Sequence, residues 1–279
     1  MRIHTVSRTS LRKQACEDAF VVNEAANLFG VFDGVTPLVP FSNEEGRNGA
    51  CIASRTFRDF FDTMDPTLSL KDAFATANRN LREAMLKHGV DMQDKAHLWA
   101  TCAAVVRIEP DGAMSFAQLG DCMILLERKD GTIDILTRDT VQGIHERAKR
   151  KRERDRTRGI QLPEESDFDS EELRRIYNRT MANTPDGYSV ANGTPEAEHY
   201  IDTGRVSLES VQSILLISDG MFLPGESLPE TFQQIRAKGL ENYAIDLEET
   251  ERRGDLASDD KTGIWICLNG GERLQPQTY

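Results

Sequence analysis

The sequence predicts an α+β fold built mainly on antiparallel sheets. Two observations carry this: the apolar runs come in series joined by short turns, and the helical periodicities gather in groups between those series rather than alternating with each strand.

The first two strands are AFVV (19–22) and LFGVF (28–32). Ala50, Ala53, Phe57, Phe60 and Phe61 then keep helical spacing, as do Leu70, Ala73, Phe74, Ala77, Leu81, Ala84 and Met85, which places two amphipathic helices after the second strand. WATCAAVVRI (99–108), AMSFAQL (113–119), CMILLER (122–128) and TIDIL (132–136) follow as strands. SILLIS (213–218) and TGIWICL (262–268) are the last two, separated by helical stretches near 228–239 and 242–253. Residues of about 141–200 carry little β pattern; they open with the basic ERAKRKRERDRTR and turn acidic in EESDFDSEEL. The segment reads as an excursion from a single domain spanning 1–279, with the basic run a solvated helix face.

A formal charge of −12 over 279 residues argues against nucleic-acid or anionic-membrane partners and suits cations or basic peptides. The start has no signal-like pattern, and no apolar run approaches the roughly 20 residues a membrane span needs, so a cytoplasmic location is expected. Five cysteines without CxxC spacing read as buried free thiols.

Asp-Gly occurs five times, and its contexts differ. At Asp111 and Asp130 it lies among charged residues between two alternating runs and reads as a hairpin turn, and at Asp186 it follows Pro in a loop. In FGVFDGV and SILLISDGMF it closes an apolar run instead, at Asp33 and Asp219. Glu17-Asp18 precede the first predicted strand and Asp259-Asp260 the last, so the acids share strand ends. Converging carboxylates are the donors that Mg²⁺ and Mn²⁺ select, and they need a cation to offset their repulsion. Two such ions sharing one carboxylate lower the pKa of a bound water and aim it as hydroxide at phosphorus, with no side-chain nucleophile.

KQACEDAF, FGVFDGV, ATCAAVV, AQLGDCMILL, LLISDGMF and SDDKTGIWI occur in an order and spacing that resembles the metal-dependent protein phosphatase 2C family, in its bacterial form, over nearly the whole chain. The resemblance implies two packed antiparallel sheets, a β-sandwich, flanked by helices, with the metal centre at one end. It matches Asp33 to the carboxylate bridging both metals and the Gly34 carbonyl to a ligand of one. Asp219 and Asp259 match acids of the other metal's shell, so Asp33, Asp219 and Asp259 hold and activate the hydroxide. Asp18, beside Glu17, matches an acidic pair reaching metal directly or through water, and Asp121 a residue that helps bind a third, weaker metal in some members.

Several positions depart from the family. Val35-Thr36-Pro37 follow Asp33-Gly34, where members continue with His-Gly-Gly or Met-Gly-Gly, so the histidine proposed as proton donor in animal members is absent. Asp260 replaces the usual Asn and offers an alternative ligand. The phosphate-binding Arg falls in register on Lys13, with Arg12 beside it. His4, His88, His97, His145 and His199 have no metal-like spacing and read as structural or exposed. Thr101 reads as core or near-cleft support, and Trp99 and Trp265 as strand packing. Tyr188 and Asn183 read as structural or as shaping the cleft through the excursion.

The expectation is a protein serine/threonine phosphatase using two Mn²⁺ or Mg²⁺ ions, with a third metal in some relatives, on a phosphorylated protein that is the target of a kinase. The alternatives are a phosphatase-fold regulatory protein of little activity, motivated by the missing glycines after Asp33, and a phosphatase of a small metabolite.

Overall fold

The computed structural model describes residues 1–223, 225–254 and 257–268. In chain order these form β1 (Arg2–Arg8), β2 (Ala19–Asn23), β3 (Leu28–Val35), α1 (Gly49–Thr63), α2 (Leu70–Lys87), β4 (Ala100–Ile108), β5 (Ala113–Leu119), β6 (Met123–Arg128) and β7 (Ile133–Ile135). Then come α3 (Ile144–Thr157), α4 (Glu171–Thr180), β8 (Asp202–Ser207), β9 (Val211–Ile217), α5 (Leu228–Lys238), α6 (Leu240–Arg252) and β10 (Lys261–Cys267). One sheet has the order β1-β10-β9-β6-β7 and the other β2-β3-β4-β5-β8, with antiparallel pairing throughout. The expected antiparallel α+β sandwich is the fold observed.

Side-chain alternation along the central strands builds the layers. In β3, Leu28 and Phe32 join Phe57, Phe61 and Phe74 of α1 and α2, whereas Phe29 and Val31 turn to the other sheet and meet Ile214, Leu216, Ile264 and Ile266. In β9, Leu215 and Ile217 point outward to Phe232, Ile235 and Tyr243 of α5 and α6. The result is helices, sheet, sheet, helices. Burying each such side chain contributes about 1.5–3 kcal/mol. Phe32, whose ring lies 5.7 Å from that of Phe61, is the kind of position where truncation to Ala costs about 3–5 kcal/mol.

Two strands have no counterpart in the sequence reading. β1 buries only Val6, and no residue of β8 is buried. Both are edge strands, held by backbone pairing to β10 and β5, so neither shows a strong apolar pattern.

The excursion has two parts. α3 and α4 share a small cluster of Ile144, Ala148 and Met181, and the Arg152 guanidinium stacks 4.0 Å from the Phe168 ring while it pairs with Glu165. The chain then returns to the core: Ala191 exchanges backbone hydrogen bonds with Thr101, and Asn78 donates to Thr194 O and accepts from Gly193 N. Residues 269–279 of the expected 1–279 domain lie outside the described residues.

Candidate metal centre

Alternation along β3 carries Asp33 to the face of Phe29 and Val31, where the apolar layer between the sheets ends. It lies inside the strand, opposite Cys102 of β4, rather than after it, and the Thr101 hydroxyl donates to its main-chain carbonyl at 2.8 Å. From the opposite sheet, β9 ends at Ile217, and Asp219 opens a 3-10 turn two residues on; Asp259 stands two residues before β10. These three acids, with Gly34, Lys13 and Asp121, line one cleft at the end of the sandwich.

The glycines separate the two kinds of Asp-Gly. Gly112 and Gly131 have φ of +81° and +86°, the left-handed conformation of the expected hairpin turns. Gly34 and Gly220 do not share it: a Cβ on Gly34 would fall 2.5 Å from Glu17 O, and one on Gly220 would fall against the Asp260 carbonyl. There the missing side chain lets two backbone segments close on the acids, which brings Asp33 next to the Glu17 loop and Asp219 next to the Asp259-Asp260 loop.

Behind the cleft wall lie the other predicted acids. Asp18 is buried and accepts from Ser218 Oγ at 2.8 Å. Glu17, also buried, accepts from Thr36 Oγ1 at 2.8 Å and from Asn48 Nδ2 at 2.5 Å, and Asn48 is in turn the N-cap of α1. The Asp260 carboxylate is fully engaged: Oδ1 accepts from Ser10 N at 2.7 Å, and Oδ2 from Glu17 N at 2.8 Å and Lys13 Nζ at 3.1 Å. It clamps the loop leading into β2 and, like Glu17 and Asp18, lies behind the cleft lining.

Lys13 and Arg12 diverge. The Lys13 ammonium reaches the cleft and contacts Glu17 Oε2 at 2.7 Å and Asp259 Oδ1 at 2.8 Å, whereas Arg12 is exposed and away from the lining. Burial pulls the Lys13 pKa down, but hydrogen bonds to Asp259 and Glu17 outweigh it and leave the group above its ordinary value.

The carboxylates strain against one another. Burial pushes Asp33 well above the usual range, and the charges of Asp18, Asp219, Asp121 and Asp259 add to it. Asp121 is pushed up to about 8 by burial and then by Asp219, and Asp18 to about 7 by burial and then by Asp260. Asp219 is raised by burial and Asp259, against a hydrogen bond with Asp33. Asp121 Oδ1 is buried and has no hydrogen-bond partner. A set of carboxylates with uncompensated charge and an open acceptor fits hard divalent cations.

The excursion supplies cleft residues that sequence reasoning missed. His145 of α3 and Arg175, Asn178 and Arg179 of α4 line the opposite wall with Tyr188. His145 Nδ1 and Asn178 Nδ2 are hydrogen-bonded at 2.9 Å, and Arg179 donates to Thr36 O and Leu98 O. The i, i+3, i+4 spacing of 175, 178 and 179 was the available signal, masked by the charge density around it. Asn183 is away from the wall and bonds Val190 and Asn192 internally.

The sequence model of protein phosphatase 2C matches residues 8–249. The chain belongs to the protein phosphatase 2C family. Among solved structures, the Mycobacterium tuberculosis serine/threonine phosphatase PstP/Ppp is similar at a TM-score of 0.57 and 16% identity, over 96% of this chain and 98% of that one. Staphylococcus aureus serine/threonine phosphatase Stp1 gives 0.55 and 15%, over 96% and 95%. The catalytic domain of PstP in complex with two manganese ions gives 0.56 and 15%, over 96% and 98%. At these identities the likeness is one of fold. No curated protein matches the chain. No helix among the described residues is long and apolar enough to cross a membrane.

Proposed function

We propose that this protein phosphatase 2C member is a metal-dependent protein serine/threonine phosphatase, active on phosphoserine or phosphothreonine in cytoplasmic proteins modified by a kinase. The observation that carries it is the meeting of Asp33, Asp121, Asp219 and Asp259 from both sheets in one cleft with Lys13. Two Mn²⁺ or Mg²⁺ ions, when bound, supply Lewis-acid charge and a nucleophilic water at neutral pH. Asp33 and the Gly34 carbonyl, Asp219 and Asp259 would hold them, with Asp18 and Glu17 behind and Asp121 toward a third ion.

The chain's own groups do the rest. Lys13 is the cation at the cleft floor for phosphate oxygens, and its present carboxylate partners keep it protonated. Arg175, exposed on the opposite wall, faces the incoming phosphopeptide. The leaving serine or threonine oxygen needs a proton, and the position after Asp33-Gly34 holds Val35. His145, which lines the same cleft from the excursion and is hydrogen-bonded to Asn178 through Nδ1, is the side chain placed to supply it.

The test is phosphate release from a phosphothreonine peptide with and without Mn²⁺. Turnover that requires the ion supports the reading, and no release from a folded protein that binds Mn²⁺ overturns it.

A further inference from the structure

A buried sulfur lies against two of the cleft acids. Asp121 and Cys122 follow Gly120, whose φ of +93° turns the chain between β5 and β6. This places both consecutive side chains beside Asp33, and a carboxylate oxygen of Asp33, one of Asp121 and the Cys122 Sγ all lie within 4.8 Å of one another. Asp121 is 8% exposed and Cys122 fully buried. The Asp121 Oδ1 atom is without a hydrogen-bond partner, a state that costs a buried acceptor about 1–3 kcal/mol unless a donor or cation meets it.

Carboxylates alone select hard ions, and a thiol among them shifts the preference toward zinc and its heavier congener. We propose that Asp33, Asp121 and Cys122 form a site for a thiophilic divalent cation of the zinc and cadmium class, overlapping the hard-cation cleft through Asp33. On binding, the metal–sulfur bond replaces the S–H bond and the proton leaves to solvent, with no change of oxidation state. Sharing Asp33 makes the two kinds of ion compete, so zinc inhibits the Mn²⁺-dependent reaction through Cys122. This last step rests on the phosphatase reading; the binding itself does not.

The test is titration of the full-length protein with Cd²⁺, followed by the ultraviolet thiolate-to-cadmium charge-transfer band, which needs no turnover. Cys102, a buried thiol that lines the cleft opposite Asp33 in the β3–β4 register but lies outside the three-donor group, is the control. The band is expected in the native protein and in Cys102→Ser and lost in Cys122→Ser. It is also expected to need roughly tenfold more Cd²⁺ in Asp121→Asn, which keeps the thiol and removes a charged donor. Cys122→Ser should need at least about tenfold more Zn²⁺ for half inhibition. An absent native band, a band that persists in Cys122→Ser, or an unchanged titration in Asp121→Asn overturns the site; the Asn variant decides the matter if the Ser variant fails to fold.

Discussion

The ammonium of Lys261 lies 2.6 Å from Glu251 Oε1, and both side chains are out of solvent. The same ammonium donates to the main-chain carbonyl of Asp259 at 2.8 Å, so a buried ion pair ties the end of α6 to the segment that carries a cleft acid. Lys261→Met leaves Glu251 charged and unpaired, which is expected to cost about 3–5 kcal/mol in denaturant unfolding. The looser Asp259 should also weaken Mn²⁺ binding. Stability within about 0.5 kcal/mol of native would contradict the role.

Arg152 holds the excursion together through Glu165, Phe168 and Tyr177. Its hydrogen bonds are the main reason the Glu165 carboxyl is lowered to about 2. Arg152→Ala should speed amide exchange over 144–180 by roughly tenfold or more while the sandwich keeps its protection. Rates on a phosphoprotein should fall, with an aryl phosphate changed by less than about twofold. Equal losses on both substrates would remove the excursion from protein recognition.

Without metal, the acids set an unusual pH trend. Asp18 and Asp121 rise from 3.8 to about 7 and about 8, burial being the first cause in each. Both therefore hold protons more tightly folded than unfolded. Their contribution is fully present below about pH 4 and is lost as pH rises through about 7 to 8. In chelator the melting temperature should fall between about pH 5 and about pH 8, and the gain from Mn²⁺ should grow over the same interval. A gain independent of pH there would mean that the ion does not replace these protons.

His145→Gln separates the proton-donor role from simple cleft packing. A phosphoserine peptide, which leaves as an alkoxide unless protonated, should lose about 10²-fold or more in kcat. An aryl phosphate, whose phenolate needs no proton, should change little. Parallel losses would assign His145 to structure.

The central strands were legible because each is buried on both faces and shows a dense apolar run; AMSFAQL matches β5 at both ends. β1 and β8 were not, since they are held by backbone pairing and bury one side chain and none, whereas the edge strand β2 buries Ala19 and Val21 and was read. The Asp-Gly contexts correctly separated Asp33 and Asp219 from the hairpins at Asp111 and Asp130. The reason for their glycines was hidden, because closeness to Glu17 O and Asp260 O is a tertiary fact. His145 and Arg175 were hard to read as cleft residues for the same cause: tertiary ties, among them Arg179 to Thr36 O and Leu98 O and the return of residues 182–200 to the core, hold α3 and α4 at the cleft.

The most direct measurement compares native protein with Asp33→Asn for Mn²⁺ stoichiometry by calorimetry and for phosphate release from an aryl phosphate and a phosphothreonine peptide. The account predicts at least two ions and metal-dependent turnover of both substrates in the native protein. In the folded variant it predicts loss of at least one ion and about 10³-fold or more of the rate. A variant that keeps full metal occupancy and near-native turnover would contradict the assignment of Asp33 to the centre of the site.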